Sequence, residues 1–285
     1  SGGNLNTARN SAAGAGVSNS SGIMFGGSTP PATGTTESYN GSSWTSVNSM
    51  NTARFQVAGF GIATAAVVSG GGGSAPTRTG ATETWDGTNW TTSPATLNTP
   101  RSAQGGSGIQ TAGLNFGGFD DDPAVTYTVT ATESWDGTSW TTVNPLNTGR
   151  SFIVGTGTQT ATIAFGGLIN PPLSAASESW NGTSWTETPS LNTARSSIGA
   201  AGSPTAALAF GGSSTPTKTG ATETWDGTSW TTYPLSMATA RTIGASFGTS
   251  TSALAAGGND TTPVDVTNTE EWTDPTFETK TLTTS

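Results

Sequence analysis

One set of landmarks recurs six times and accounts for nearly all of the 285 residues. Each unit opens on an arginine: Arg9, Arg54, Arg101, Arg150, Arg195 and Arg241. A glycine pair follows, read as Gly26-Gly27, Gly71-Gly72, Gly117-Gly118, Gly166-Gly167, Gly211-Gly212 and Gly257-Gly258. Then comes an aromatic segment, ATETWDGTSW at Ala221 and close variants at Thr35, Ala81, Ala131 and Ala176, with a degenerate sixth copy, TEEWTDPTF, from Thr269. Successive arginines are 45, 47, 49, 45 and 46 residues apart. Internal repetition at this period marks an array of like units that share one core, because a single unit cannot bury its own apolar faces.

Each unit reads as four short strands. A small-residue strand follows the arginine, an apolar strand runs into the glycine pair, a third carries the Thr-Glu-Thr-Trp segment, and a fourth opens on the second tryptophan. Asp-Gly or Asn-Gly joins the last two, at Asn40-Gly41, Asp86-Gly87, Asp136-Gly137, Asn181-Gly182 and Asp226-Gly227. That dipeptide predicts a type I′ hairpin, whose central residues both take positive φ. Four strands per repeat of this length is the period of a propeller blade. The first strand is expected innermost, since SAAGAG from Ser11 and SAQGGSG from Ser102 carry the small side chains that converging blades require. The expected fold is therefore all-β, a six-bladed β-propeller of four-stranded antiparallel blades forming one domain over 1–285. Its blades are about 4–49, 50–96, 97–145, 146–190, 191–236 and 237–285.

Composition narrows the function. Only 9% of residues are charged, yet ten Trp, three Tyr and ten Phe argue for a packed interior rather than disorder. There is no Cys, hence neither disulfide nor thiolate zinc site, and no His, hence no histidine-dependent triad or ordinary histidine metal site. The net charge of -9 argues against a nucleic-acid partner, because only Arg78, Lys218 and Lys280 stand outside the repeat cations. No apolar run approaches the roughly 20 residues of a membrane span, so no membrane insertion is expected.

The order arginine, apolar strand, Gly-Gly, aromatic with aspartate, then tryptophan resembles the kelch repeat across all six units. The resemblance implies a kelch-type propeller in which the glycine pair ends the second strand and the aromatics pack between blades. Two departures stand out. The hairpin is one residue tighter than the usual kelch spacing, and the last unit has Thr273 and Phe277 where Asp and Trp are expected. SWDGTSW also resembles the Asp-box of sialidase-like propellers, one residue short, and that box is structural. A galactose-oxidase-like copper centre would need histidines.

Charged residues that recur once per blade lie around a ring, whereas catalysis happens at one place. The six arginines and the matched Glu37, Glu83, Glu133, Glu178, Glu223 and Glu270 are therefore expected to be structural, buried and paired. The repeat tryptophans are expected to fill the space between blades rather than to stack on sugars. Binding candidates are the residues off the pattern. The stretch from the glycine pair to the repeat glutamate varies in length while the last hairpin hardly does, so the face carrying the loops between second and third strands is the expected binding surface. Its longest loop, 119–130, holds Phe119, Asp120, Asp121, Asp122 and Tyr127. Arg78 and Lys218 occupy equivalent places in blades two and five and are expected to point into solvent. The aspartate triplet is a weak Ca²⁺ candidate against the plainer reading of a solvated acidic turn, with Asn259, Asp260 and Asp265 a weaker set still. No catalytic residue and no cofactor is expected.

Low Lys content and Thr/Ser/Asn-rich surfaces resemble the kelch-like arrays of phage tail fibres, virion decorations and large secreted bacterial proteins. That likeness implies a non-catalytic extracellular or virion-displayed recognition or structural module, binding a glycan or a neighbouring protein surface. The alternatives are a carboxylate-dependent polysaccharide hydrolase or lyase on the same scaffold and an intracellular kelch adaptor, which normally carries partner domains. Ring closure is expected to come from packing of blade six on blade one without a shared blade, with residues 1–5 free to pair with the last strand.

Overall fold

The computed structural model describes residues 2–73, 78–120, 128–169, 171–215, 217–262 and 264–274. Five blades are four-stranded antiparallel meanders. Blade one shows the pattern, with strands Ala13–Ser18, Ser21–Phe25, Thr36–Tyr39 and Trp44–Val47 paired in that order. Blade six contributes Ala245–Gly248, Ser252–Ala256 and Thr269–Thr273 among the described residues. Its expected fourth strand, with Phe277, lies outside them. No helix occurs among the described residues.

The first strands Ala13–Ser18, Ala58–Ile62, Gly105–Ile109, Val154–Thr158, Gly199–Ser203 and Ala245–Gly248 each contact the next around a closed ring, the last meeting the first. Small residues permit this. A Cβ on Gly59 would lie 2.7 Å from the Ala13 Cβ and 2.6 Å from the Phe25 ring, closer than real Cβ atoms approach.

The core sits between blades rather than within them, because a twisted four-stranded sheet exposes two apolar faces. At the first junction, Phe25 and Ile23 of blade one meet Val68, Trp85 and Trp90 of blade two. The second tryptophan of each complete blade packs edge-on against a phenylalanine of a neighbouring blade, as Trp90 on Phe25, Trp185 on Phe116 and Trp230 on Phe165, with ring centroids 4.9, 5.2 and 4.7 Å apart. Its indole N–H donates to a hydroxyl on the preceding blade's third strand: Trp44 to Thr269, Trp90 to Thr36, Trp140 to Thr82, Trp185 to Thr132 and Trp230 to Ser177. The tryptophan thus buries its ring and satisfies its one polar atom at the same time.

Two local expectations are corrected. The Asp-Gly and Asn-Gly hairpins are four-residue loops rather than type I′ turns. Trp85 pairs with Trp90, Gly87 alone has positive φ within 86–89, and the Asp86 carboxylate accepts from the amides of Thr88 and Asn89. Side-chain capping has replaced the second left-handed residue. In blade two the left-handed glycine pair is Gly70-Gly71, one residue before the pair read from the glycine run. The apolar strand Ala65–Ser69 is five residues long, as in blade one, and its end sets the register.

Ring closure is also more specific than expected. In every blade the amide of the second left-handed glycine donates to the carbonyl of the next unit's arginine, from Gly27 to Arg54 at 2.8 Å through to Gly258 to Arg9 at 2.9 Å. The segment before Arg9 docks likewise: the Leu5 amide donates to Thr267 O, as those of Met50, Leu97, Leu146, Leu191 and Met237 do to the preceding blade. Leu5 is buried with Met24, Trp44, Leu254 and Ala256. The Gly3 amide bonds to Ser42 O of blade one. The N-terminal segment is therefore a clasp that repeats the ordinary blade junction.

Candidate functional site

The repeat charges lie inside the scaffold. All six arginines are fully buried, and each pairs with the glutamate of its own unit, for example Arg54 with Glu83 at 2.8 Å and Arg150 with Glu178 at 2.7 Å. Arg9 pairs with Glu37, Arg101 with Glu133, Arg195 with Glu223 and Arg241 with Glu270. Burial pulls the guanidinium groups of Arg9, Arg54, Arg101, Arg150 and Arg195 below their ordinary value, and the facing glutamate opposes this. Arginine still stays charged, since its intrinsic basicity is too high for such a shift to discharge it. Five of the glutamates also accept from the amide of the Asn that follows the buried Leu or Met, as Glu83 does from Asn51 at 2.7 Å and Glu178 from Asn147 at 2.8 Å. Blade six has Ala238 there, whose amide does the same. This Leu/Met-Asn-Thr segment, present before five of the six arginines and altered to Met237-Ala238-Thr239 before Arg241, is a visible repeat that the sequence reading passed over.

Loops between second and third strands share a face with the connections between blades, where the arginines sit. On that face a chain of five backbone bonds runs from blade one to blade six around the propeller axis. The amides of Gln56, Ala103, Phe152, Ser197 and Ile243 donate in turn to the carbonyls of Ser11, Gln56, Ala103, Phe152 and Ser197. Ser11, Gln56, Ala103, Phe152 and Ser197 all take left-handed φ, between 48° and 56°. Left-handed backbone is uncommon for residues other than glycine and unfavourable for bulky ones, so Phe152 at φ 48° is the exceptional member. Within this chain of bonds opens the mouth of the axial channel, a cavity of about 470 Å³ lined by all six blades.

Arg78 and Phe119 do not line this cavity; they stack beside it, joined to it through Phe152, which does. The Arg78 guanidinium lies 5.3 Å from the Phe119 ring centroid, and its Nε donates to Ser102 Oγ at 3.1 Å. Phe119 in turn packs edge-on against Phe152, with centroids 5.4 Å apart and planes at 88°. Blades two, three and four thus contribute a cation and two rings to one half-buried stack. Asp120 adjoins it, half-buried; Asp121, Asp122 and Tyr127 lie outside the described residues.

Lys218 stands elsewhere. Its ammonium donates to Asn259 Oδ1 and to Asp260 O of blade six. The expectation that Arg78 and Lys218 point into solvent is therefore corrected: each reaches forward to the next blade, because these loops lie within side-chain length of one another around the axis. Beside Lys218, Asp265 accepts from Asn10 Nδ2 at 2.6 Å and from Asn259 Nδ2 at 3.4 Å. The hydroxyl and amide of Thr262 hold the Asp260 carboxyl below its usual range. Among the described residues no group of three or more His, Cys, Asp or Glu side chains gathers as metal ligands, and two members of the aspartate triplet, Asp121 and Asp122, lie outside those residues.

Phe152 is the contact residue that sequence reasoning missed. Its signal was a bulky aromatic two residues after the arginine, where blades one, two, three and five have Ser11, Gln56, Ala103 and Ser197.

No family model matches the chain, and no curated protein matches it. Among solved structures it is similar to the one described as "Structure of YjhT", with a TM-score of 0.82 over 96% of this chain and 97% of that one, at 14% sequence identity. At that identity the likeness is one of fold, and it spans the entire six-bladed ring.

Proposed function

We propose that this chain is a kelch-type recognition module displayed outside the cell or on a virion, binding a glycan without chemical turnover through the face that carries its variable loops. The observation that carries this reading is that Phe152, which lines a cavity built by all six blades, is continued outward by a stack of Phe119 and Arg78 beside it. Concave sites of about 300–1,000 Å³ with a few polar groups suit small ligands, and half-exposed aromatic rings suit the apolar faces of sugars. The repeat arginines and glutamates are committed to ion pairs, buried in five blades and partly exposed at Glu270 in the sixth, which leaves this face to the residues that differ between blades. Loops on a rigid scaffold are where specificity is expected to reside.

A glycan array probed with the purified chain tests the reading. Binding that is lost in the double variant Arg78→Ala, Phe119→Ala supports it. Turnover of a polysaccharide, abolished by Asp121→Asn or Asp122→Asn, would instead favour the hydrolase or lyase alternative. Stoichiometric incorporation into a particle without any glycan hit would favour assembly with a neighbouring protein.

A further inference from the structure

The chemistry of the cavity wall restricts which glycan it can take. None of the described residues lining the cavity is charged. Its polar lining consists of amides and hydroxyls, chiefly Asn10, Gln56, Gln104, Thr242 and Asn259, and Phe152 supplies the aromatic surface. Charged groups nearby are turned to other partners. Lys218 holds Asn259 and Asp260, Arg78 lies on Phe119, and Asp265 stands behind Asn10 and Asn259 and fixes the orientation of both amides.

Two further observations point at a ligand. Gln104 is only 5% exposed; its Nε2 donates to Ser69 O at 2.9 Å, while its Oε1 is buried without a partner among the described residues. A buried acceptor left unpaired is costly and suits a donor brought from outside. Phe152 holds an aromatic ring at the mouth in a left-handed backbone that a smaller residue would occupy at less cost, and such outliers concentrate where a site needs them.

We propose that the mouth of the axial channel binds an uncharged saccharide, whose hydroxyls pair with the amides of Asn10, Gln56 and Asn259 and with Gln104 Oε1 while one sugar face lies on Phe152. This rests on the glycan-binding reading above. Amides and sugar hydroxyls each donate and accept, so they satisfy one another without charge. A carboxylate, sulfate or phosphate would lose its hydration with no counter-charge in the lining, and would approach against a net charge of -9.

The test is a glycan array with neutral, sialylated and sulfated saccharides, followed by titration calorimetry of the best hits against the wild type, Phe152→Ala and Gln56→Ala. Neutral sugars are expected to dominate the hits. Phe152→Ala should weaken binding at least tenfold and Gln56→Ala several-fold, both variants keeping the wild-type circular dichroism spectrum. Preference for sialylated or sulfated sugars, or neutral binding that both variants leave unchanged, overturns the inference but leaves a glycan-binding module in place. An array without any hit removes that broader reading together with this one.

Discussion

The amide of Gly258 donates to the carbonyl oxygen of Arg9 at 2.9 Å, joining the last repeat to the first by the bond that joins all other neighbouring blades. Among the described residues, closure rests on this bond and on the docking of the segment before Arg9 against blade six. It depends on the few residues around Arg9, and above all on Leu5, which fills the place taken elsewhere by Met50, Leu97, Leu146, Leu191 and Met237.

Leu5→Ala is expected to destabilise the protein by about 2–4 kcal/mol, the ordinary cost of emptying a buried leucine site, and Leu191→Ala by a similar amount. Chemical denaturation measures both. A loss below about 0.5 kcal/mol for Leu5→Ala alone, the size of a neutral surface change, would show that the clasp lies outside the cooperative structure. Hydrogen exchange provides a second readout, since the Leu5 amide should be protected to nearly the same degree as that of Leu191.

The buried ion pairs should respond asymmetrically to substitution. Arg195→Met strips Glu223 of its charge partner while leaving the carboxylate buried, and a loss of about 3–5 kcal/mol is expected. The double variant Arg195→Met, Glu223→Met should recover part of that loss, because an apolar pair removes the uncompensated charge. Undiminished thermal stability in the single variant would contradict the anchoring role.

Trp230→Phe separates packing from hydrogen bonding at a blade junction. The ring stays aromatic beside Phe165, but Ser177 loses the donor 3.1 Å away and a smaller ring leaves space. A destabilisation of about 2 kcal/mol is expected from these two effects. A value near zero, measured by urea unfolding, would mean that water replaces the indole.

Acid should act partly through the hairpin aspartates. The hydroxyl and amide of Thr228 and the amide of Ser229 hold Asp226 at about 2, chiefly through the Thr228 hydroxyl. Asp136 is lowered mainly by the Thr138 hydroxyl, and Asp86 by the amides of Asn89 and Thr88. A carboxyl lowered in the folded state adds stability that is complete above its unfolded value of about 4 and is lost as pH falls through the folded value. The melting temperature should therefore drop between about pH 4 and pH 2. The triple variant Asp86→Asn, Asp136→Asn, Asp226→Asn should show a shallower slope with little change at pH 7, because Asn40 and Asn181 already make the same loops with an amide oxygen. An unchanged slope would refute the assignment.

Much of this molecule could be read before any coordinates. Blade number, the order of strands and the innermost place of the small-residue strand follow from periodicity, because side-chain size and turn chemistry act locally and recur. The pairing of arginines with glutamates was expected because both recur once per blade and buried charges need partners, and the structure places each pair within one unit. The loop face was legible from its variable lengths, and within it Phe119 and Arg78 were legible as residues off the repeat.

What escaped the reading depends on distances between residues far apart in sequence. The glycine register in blade two was ambiguous in a run of four glycines until strand length resolved it, and the hairpin type depended on a side chain capping two amides. Phe152 looked like one more apolar residue, and only the run of left-handed backbone around the axis turned it toward Phe119 and the channel. The sequence by itself determined how many blades there are and what each is made of, since those follow from local pattern and burial. Which residues meet at the mouth was decided by closure of the ring, which brings one position from every repeat to a common axis, a relation that exists only in three dimensions.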